Sequence, residues 1–109
     1  FSEAISFFEK AIESDTQFAL AYSKLAISYY YLDIYKTDKR YTDIINHYAD
    51  KALLYDSKSA ESLIAKALYY MHNKEYRYAI PHLEKALEFC EQSLEMRKKK
   101  LRKIFHVIN

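Results

Sequence analysis

Apolar side chains return every three or four residues at Ile5, Phe8, Ala11 and Ile12, and again at Leu20, Tyr22, Leu25, Ala26, Tyr29 and Leu32. That spacing gathers them on one face of an α-helix. Between the two sets lies Ser14-Asp15-Thr16-Gln17, whose side chains bond nearby backbone and so favour turns and N-caps. A second polar break, Lys36-Thr37-Asp38, offers Thr37 or Asp38 as a cap before Ile44, Ile45, Tyr48, Ala49, Ala52 and Leu53. The third, Asp56-Ser57-Lys58-Ser59, repeats the chemistry of the first. After it come Leu63, Ala67, Leu68, Tyr70 and Met71, a corner at His72-Asn73-Lys74, and then Ala79, Ile80, Leu83, Ala86 and Leu87. Pro81 falls in the first turns of this last segment, where its missing N–H is expected to have no intrahelical partner. The pattern predicts helices over about 1–14, 18–35, 39–55, 59–72 and 75–90, with short connections that make neighbours antiparallel.

The same eleven-residue step separates Ala11 from Tyr22 and Ala52 from Leu63, as a stacked helix-turn-helix unit requires. The expected fold is therefore all-α: an α-solenoid of antiparallel helix pairs, which bury their apolar faces against one another and leave a concave surface. Composition narrows the field. The chain has 109 residues, enough for one domain, with no glycine and one proline, which argues against β-rich folds and glycine-rich nucleotide loops. No apolar run reaches the roughly 18 residues needed to cross a bilayer. The start at Phe1, with no methionine and no leader pattern, reads as a segment of a longer protein. Cys90 is the single cysteine, which excludes an internal disulfide and fits a reducing, cytoplasmic setting.

The segment Tyr22-x-x-Leu25-Ala26-x-x-Tyr29 resembles the first helix of a tetratricopeptide repeat, with Ala26 for the usual glycine. Ala4-x-x-x-Phe8-x-x-Ala11 resembles a preceding second helix, and Ala79-x-x-x-Leu83-x-x-Ala86 that of the repeat opening near Ala60. The resemblance covers residues 1–90 and implies a superhelical array of the tetratricopeptide kind. Residues 91–109 form a basic C-terminal helix that caps the array or continues its last helix. There are three departures. Tyr29 to Ala52 spans 23 residues against 16 from Tyr70 to Ala86, a seven-residue insertion expected to lengthen the helix pair around Tyr35 to Tyr41. Lys66 stands for leucine and Ile45 for alanine, implying looser contacts there. Proline is missing from the inter-repeat turns, where Thr16 and Ser57 stand. The lengthened middle repeat is also similar to arrays attached to bacterial transcriptional regulators and nucleotide cyclases, which implies a sensor or docking segment as the alternative function.

In this family the groove is lined by the first helix of each repeat. The resemblance carries that role to Leu20, Ser23, Lys24, Ile27 and Tyr31, and to Glu61, Ile64, Ala65, Leu68 and His72. Such an apolar stripe suits a protein or peptide partner; the same stripe reads equally as a face buried against an adjacent repeat. Only Lys24 matches the basic clamp with which some family members grip chaperone tails. Of the twelve tyrosines, Tyr29 and Tyr70 are expected in the core and Tyr30 or Tyr31 at the surface, since a run of three cannot share one helix face.

Charge is concentrated at the end. Residues 91–109 carry six cations (Arg97, Lys98, Lys99, Lys100, Arg102 and Lys103) and two acids, net +4, which leaves −2 for residues 1–90 against a total of +2. The patch could meet nucleic acid or an anionic membrane surface, but no stacking aromatics interleave it, so nucleic acid ranks behind protein as partner. Leu101 occupies a small-residue register position, as in a capping helix. Against that stands a heptad rhythm in Ile80, Leu83, Leu87, Cys90, Leu94, Leu101, Ile104 and Ile108, broken by Arg97, which implies one long helix and a homodimer seam. The histidines His47, His72, His82 and His106 have no metal-binding spacing, and no base is evident for Cys90. The sequence thus predicts a non-catalytic binding scaffold without cofactor or metal.

Overall fold

The computed structural model describes residues 2–108. It is all-helical: α1 (Ser2–Ser14), α2 (Ala19–Asp33), α3 (Thr42–Tyr55), α4 (Ala60–His72) and α5 (Tyr76–Ile108). The expected helix ends at Phe1 and Asn109 lie outside the described residues. No helix is long and apolar enough to cross a membrane among the described residues. Each helix packs on the next and α2 also packs on α4, so α2, α3 and α4 share one mutual contact. Among the described residues α1 packs chiefly on α2, and α5 on α4.

Small side chains set the closeness of that contact. Ala26, Ala49, Ala52, Ala65 and Ala67 are fully buried, and Ala26, Ala49 and Ala65 share a core cluster with Tyr30 and Ile45. A larger residue at any of them pushes the helix axes apart. Tyrosines fill the α2–α3 seam, with Tyr22 against Tyr48 and Tyr55, and Tyr29 against Tyr41 and Tyr48. Tyr22 donates to the Thr16 carbonyl at 2.9 Å and Tyr29 to Glu9 at 3.3 Å, giving the buried and half-buried phenols polar partners. Burial raises the pKa of both phenols, as it does for Tyr48; beside Tyr29 and Tyr48 the Glu9 carboxylate adds to it. Tyr30 proves to be core and Tyr31 exposed, while Tyr29 and Tyr70 are half-buried. One 100° step per residue turns Tyr30 toward α3 and α4.

The turns after α1 and α3 share one device. Asp15 accepts from the Gln17 N–H and Asp56 from the Lys58 N–H, each two residues on. They differ in the cap that follows: Ser59 Oγ accepts from Ser62 N–H, whereas Phe18 has no side chain that can do so. Pro81 lies one turn deeper than expected. The first i→i−4 bond of α5 runs from Ala79 to Glu75, so Pro81 withholds a donor from the carbonyl of Arg77, an exposed residue whose carbonyl water can serve.

The seven-residue insertion does not build longer projecting helices. α2 has 15 residues against 13 in α4, and eight residues join α2 to α3 where three join α4 to α5; two of the seven extend a helix and five become loop. Neither Thr37 nor Asp38 caps α3, which begins at Thr42 behind an N-cap, Tyr41, that has no side-chain bond.

Lys66 does not loosen its contact either. Its side chain is 13 % exposed, with Nζ 2.6 Å from Asp50 and 2.7 Å from Asn46 on α3, and over the rings of Tyr69 and Tyr70. Half of this ion pair faces solvent, so screening limits it. Lys66→Ala is expected to cost about 1–2 kcal/mol, from the charged hydrogen bond to Asn46 and the cation–π contact. Urea unfolding checks it.

Candidate functional site

Three surfaces come from the sequence reading, and one buried constellation does not. The proposed groove residues divide by burial. On α2, Leu20 and Tyr31 are exposed and Lys24 and Ile27 half-buried; on α4, Glu61 is exposed and Ile64 half-buried. At spacings of four, three and four, Leu20, Lys24, Ile27 and Tyr31 share one face, on a helix packed beside α4.

The remaining candidates are turned inward. Ser23 is fully buried, bonds the Ala19 carbonyl and meets Ser62 Oγ at 3.5 Å. Ser62 in turn donates to the Ala52 carbonyl at 3.2 Å. Each hydroxyl gives its one hydrogen to a backbone carbonyl, so the 3.5 Å approach of Ser23 and Ser62 is a close contact of two small side chains that lets α2 and α4 meet, while Ser62 ties α4 to α3. Ala65 is fully buried and Leu68 packs on the core. The His72 side chain is 2 % exposed. The stripe open to a partner is therefore Leu20, Lys24, Ile27 and Tyr31 with Glu61 and Ile64.

The buried constellation centres on Asp33, the last residue of α2 and fully buried. Its Oδ2 accepts from Tyr41 N–H at 2.7 Å and lies 3.0 Å from His72 Nε2, while Oδ1 accepts from Arg40 N–H at 3.2 Å. An ionised carboxylate only accepts, so Nε2 carries the hydrogen, and Nδ1 meets Thr42 Oγ1 at 3.3 Å. Lys39 closes the same joint from the other side by donating to the Asp33 and Ile34 carbonyls at 2.8 and 3.1 Å. A cation at a helix C-terminus and an anion at a helix N-terminus are both favourable; here the two helix ends are α2 and α3. Burial alone raises the Asp33 pKa, but the Tyr41 and Arg40 amides and His72 outweigh it and hold the carboxyl below its ordinary range.

This arrangement fixes the eight-residue connection and pins the end of α4 to it. Both carboxylate oxygens are committed to backbone amides, so Asp33 serves as an internal cap. A cleft of about 210 Å³ adjoins it, lined by Tyr30, Ile34, Lys39, Met71, His72, Lys74 and Tyr76. Sequence reasoning missed the joint because Asp33 and His72 are 39 residues apart and neither belongs to a motif. The one signal was an acid ending an apolar helix stripe.

No family model, curated protein or solved structure matches the chain.

The cationic run, Arg97, Lys98, Lys99, Lys100, Arg102 and Lys103, lies wholly exposed on the second half of α5. Residues 76–108 are one uninterrupted helix of 33 residues, so the basic segment continues the last helix and does not fold back over it as a cap. Residues 91–107 are all exposed. Among the described residues no group of three or more His, Cys, Asp or Glu side chains could hold a metal ion.

Proposed function

We propose that this chain is a short tetratricopeptide-like solenoid that binds a protein or peptide on the stripe shared by α2 and α4. The observation that carries the reading is that α2, the first helix of one hairpin, packs directly on α4, the first helix of the next, while α3 packs on both. Side-by-side first helices present one continuous surface, and here it bears Leu20, Ile27, Tyr31 and Ile64 with Lys24 and Glu61 at its edges. On α2 the apolar anchors fall at i, i+7 and i+11, successive turns of one helix face that suit the apolar ridge of an amphipathic helix or the alternate side chains of an extended peptide. The partner's apolar residues supply affinity, and the two rim charges set orientation.

Ile27→Glu tests this. Half-buried Ile27 can carry a carboxylate toward solvent, whereas Leu68→Glu would place one against the core and confound the result with unfolding. Against an arrayed library of amphipathic and extended peptides, the wild-type chain is expected to retain a set that Ile27→Glu loses at least tenfold, with unchanged helical circular dichroism. Equal retention by both proteins overturns the reading.

A further inference from the structure

We infer that α5 is a self-association helix on which a second copy of this chain pairs antiparallel. Because α5 runs unbroken, Ile80, Leu83, Leu87, Cys90, Leu94, Arg97, Leu101 and Ile104 fall at alternate steps of three and four along one seam. The seam is sustained for more than three heptads, the length that marks a coiled coil, and the slow drift of a straight helix against it is taken up by left-handed supercoiling. Its apolar residues are between 39 and 60 % exposed, and Cys90 is exposed. The contact with α4 uses a different side of the helix, that of Ala79, His82, Ala86 and Phe89, about 100° round from the seam. An open cleft of about 580 Å³ where α5 leaves the body is lined by Cys90, Leu94 and Arg97 on one side and by Asp56, Lys58 and Ser59 of the α3–α4 turn on the other, so a helix seated on the middle of the seam lies beside that turn.

Charge selects the occupant and its direction. Residues 84–95 hold four glutamates and one lysine, whereas residues 97–103 hold six cations. Parallel pairing sets the two basic blocks side by side and Arg97 on the partner's Arg97. Antiparallel pairing lays the acidic half of each helix along the basic half of the other. With Cys90 facing the partner's Leu101 and Leu87 facing the partner's Ile104, Glu91 flanks the partner's Lys98 twice over, and Leu94 packs on the aliphatic stem of the partner's Arg97. A slip of one heptad sets Glu91 against the partner's Glu91, which fixes the register.

The test uses the full chain. Sedimentation equilibrium is expected to show a reversible dimer that Leu94→Lys converts to monomer, and Glu91→Lys should weaken it about three- to tenfold by replacing two attractions with repulsions. Adding Lys98→Glu to Glu91→Lys should restore dimerisation. In a parallel pair Glu91 instead flanks the partner's Ala86, so neither change acts. Oxidation with diamide, which takes up the two thiol hydrogens, reads the geometry: antiparallel chains keep the two Cys90 thiols about 16 Å apart, beyond disulfide reach, whereas Leu101→Cys supplies a facing thiol and should cross-link. A concentration-independent monomer, a heterologous open polymer, or a Cys90–Cys90 cross-link in the wild-type dimer would each overturn the proposal.

Discussion

Replacing Asp33 with alanine is expected to destabilise the chain by about 3–5 kcal/mol, the range for removing one member of a fully buried, hydrogen-bonded charge cluster. The cost arises from what is left behind. Arg40 N–H, Tyr41 N–H and His72 Nε2 all lose their acceptor, and each buried donor without a partner forfeits about 1–3 kcal/mol, less whatever water recovers by entering the adjoining cleft. Asp33→Asn separates charge from shape, since its carbonyl oxygen can accept but its amide adds two donors opposite donors already present; it should fall between wild type and alanine. The joint also sets an acid limb. The folded carboxyl titrates below its ordinary range, so its contribution is fully present above about pH 4, the unfolded value, and is lost as pH falls through the folded value. Urea melts from neutral to acid pH should show wild type losing more stability than Asp33→Asn. Parallel acid slopes for the two proteins would contradict the assignment.

What was legible in the sequence follows from which forces are local. Apolar periodicity decides helix identity: each of the five expected segments is helical, but α5, expected to end near 90, runs to Ile108. Boundaries followed less closely where a distant group did the capping: α2 was expected to run to 35 and α3 to start at 39, but Asp33, Lys39 and His72 gather the intervening segment into a loop. Nothing near Thr37 in sequence announces a histidine from α4. The surface stripe was half legible. Helical spacing put Leu20, Lys24, Ile27 and Tyr31 on one face, but it carried no information on how close α2 and α4 approach, and that approach buries Ser23 against Ser62. Cys90 to Ser93 contains no helix stop, and α5 continues to Ile108, whereas the apolar spacing ended this helix near 90 and left open whether the residues beyond cap the array or continue it.

Ile45→Ala is expected to cost about 2–5 kcal/mol, the range for truncating a buried aliphatic side chain. The direction is opposite to what the repeat pattern implies, which has alanine at this position and makes isoleucine look intrusive. The packing explains the reversal. Ile45 is fully buried at the meeting point of α2, α3 and α4, among Ala26, Tyr30, Ala49 and Ala65. Three of those four neighbours are alanines, so the volume they leave is filled by this one β-branched side chain, and close packing requires that it be filled. Truncation opens a cavity whose rims are backbone-proximal methyl groups with little freedom to collapse inward, which places the loss toward the upper half of the range. A compensating pair supports the volume argument: Ala49→Val in the Ile45→Ala background, adding volume to the next turn of the same helix, should recover part of the loss, whereas Ala49→Val alone should destabilise by overpacking. The coupling between the two sites, read from a double-mutant cycle in urea, should be of opposite sign to simple additivity of two losses. If Ile45→Ala is neutral, or the two substitutions merely add, the three-helix junction is not packed as described and the contact between α2 and α4 that sets the surface stripe loses its support.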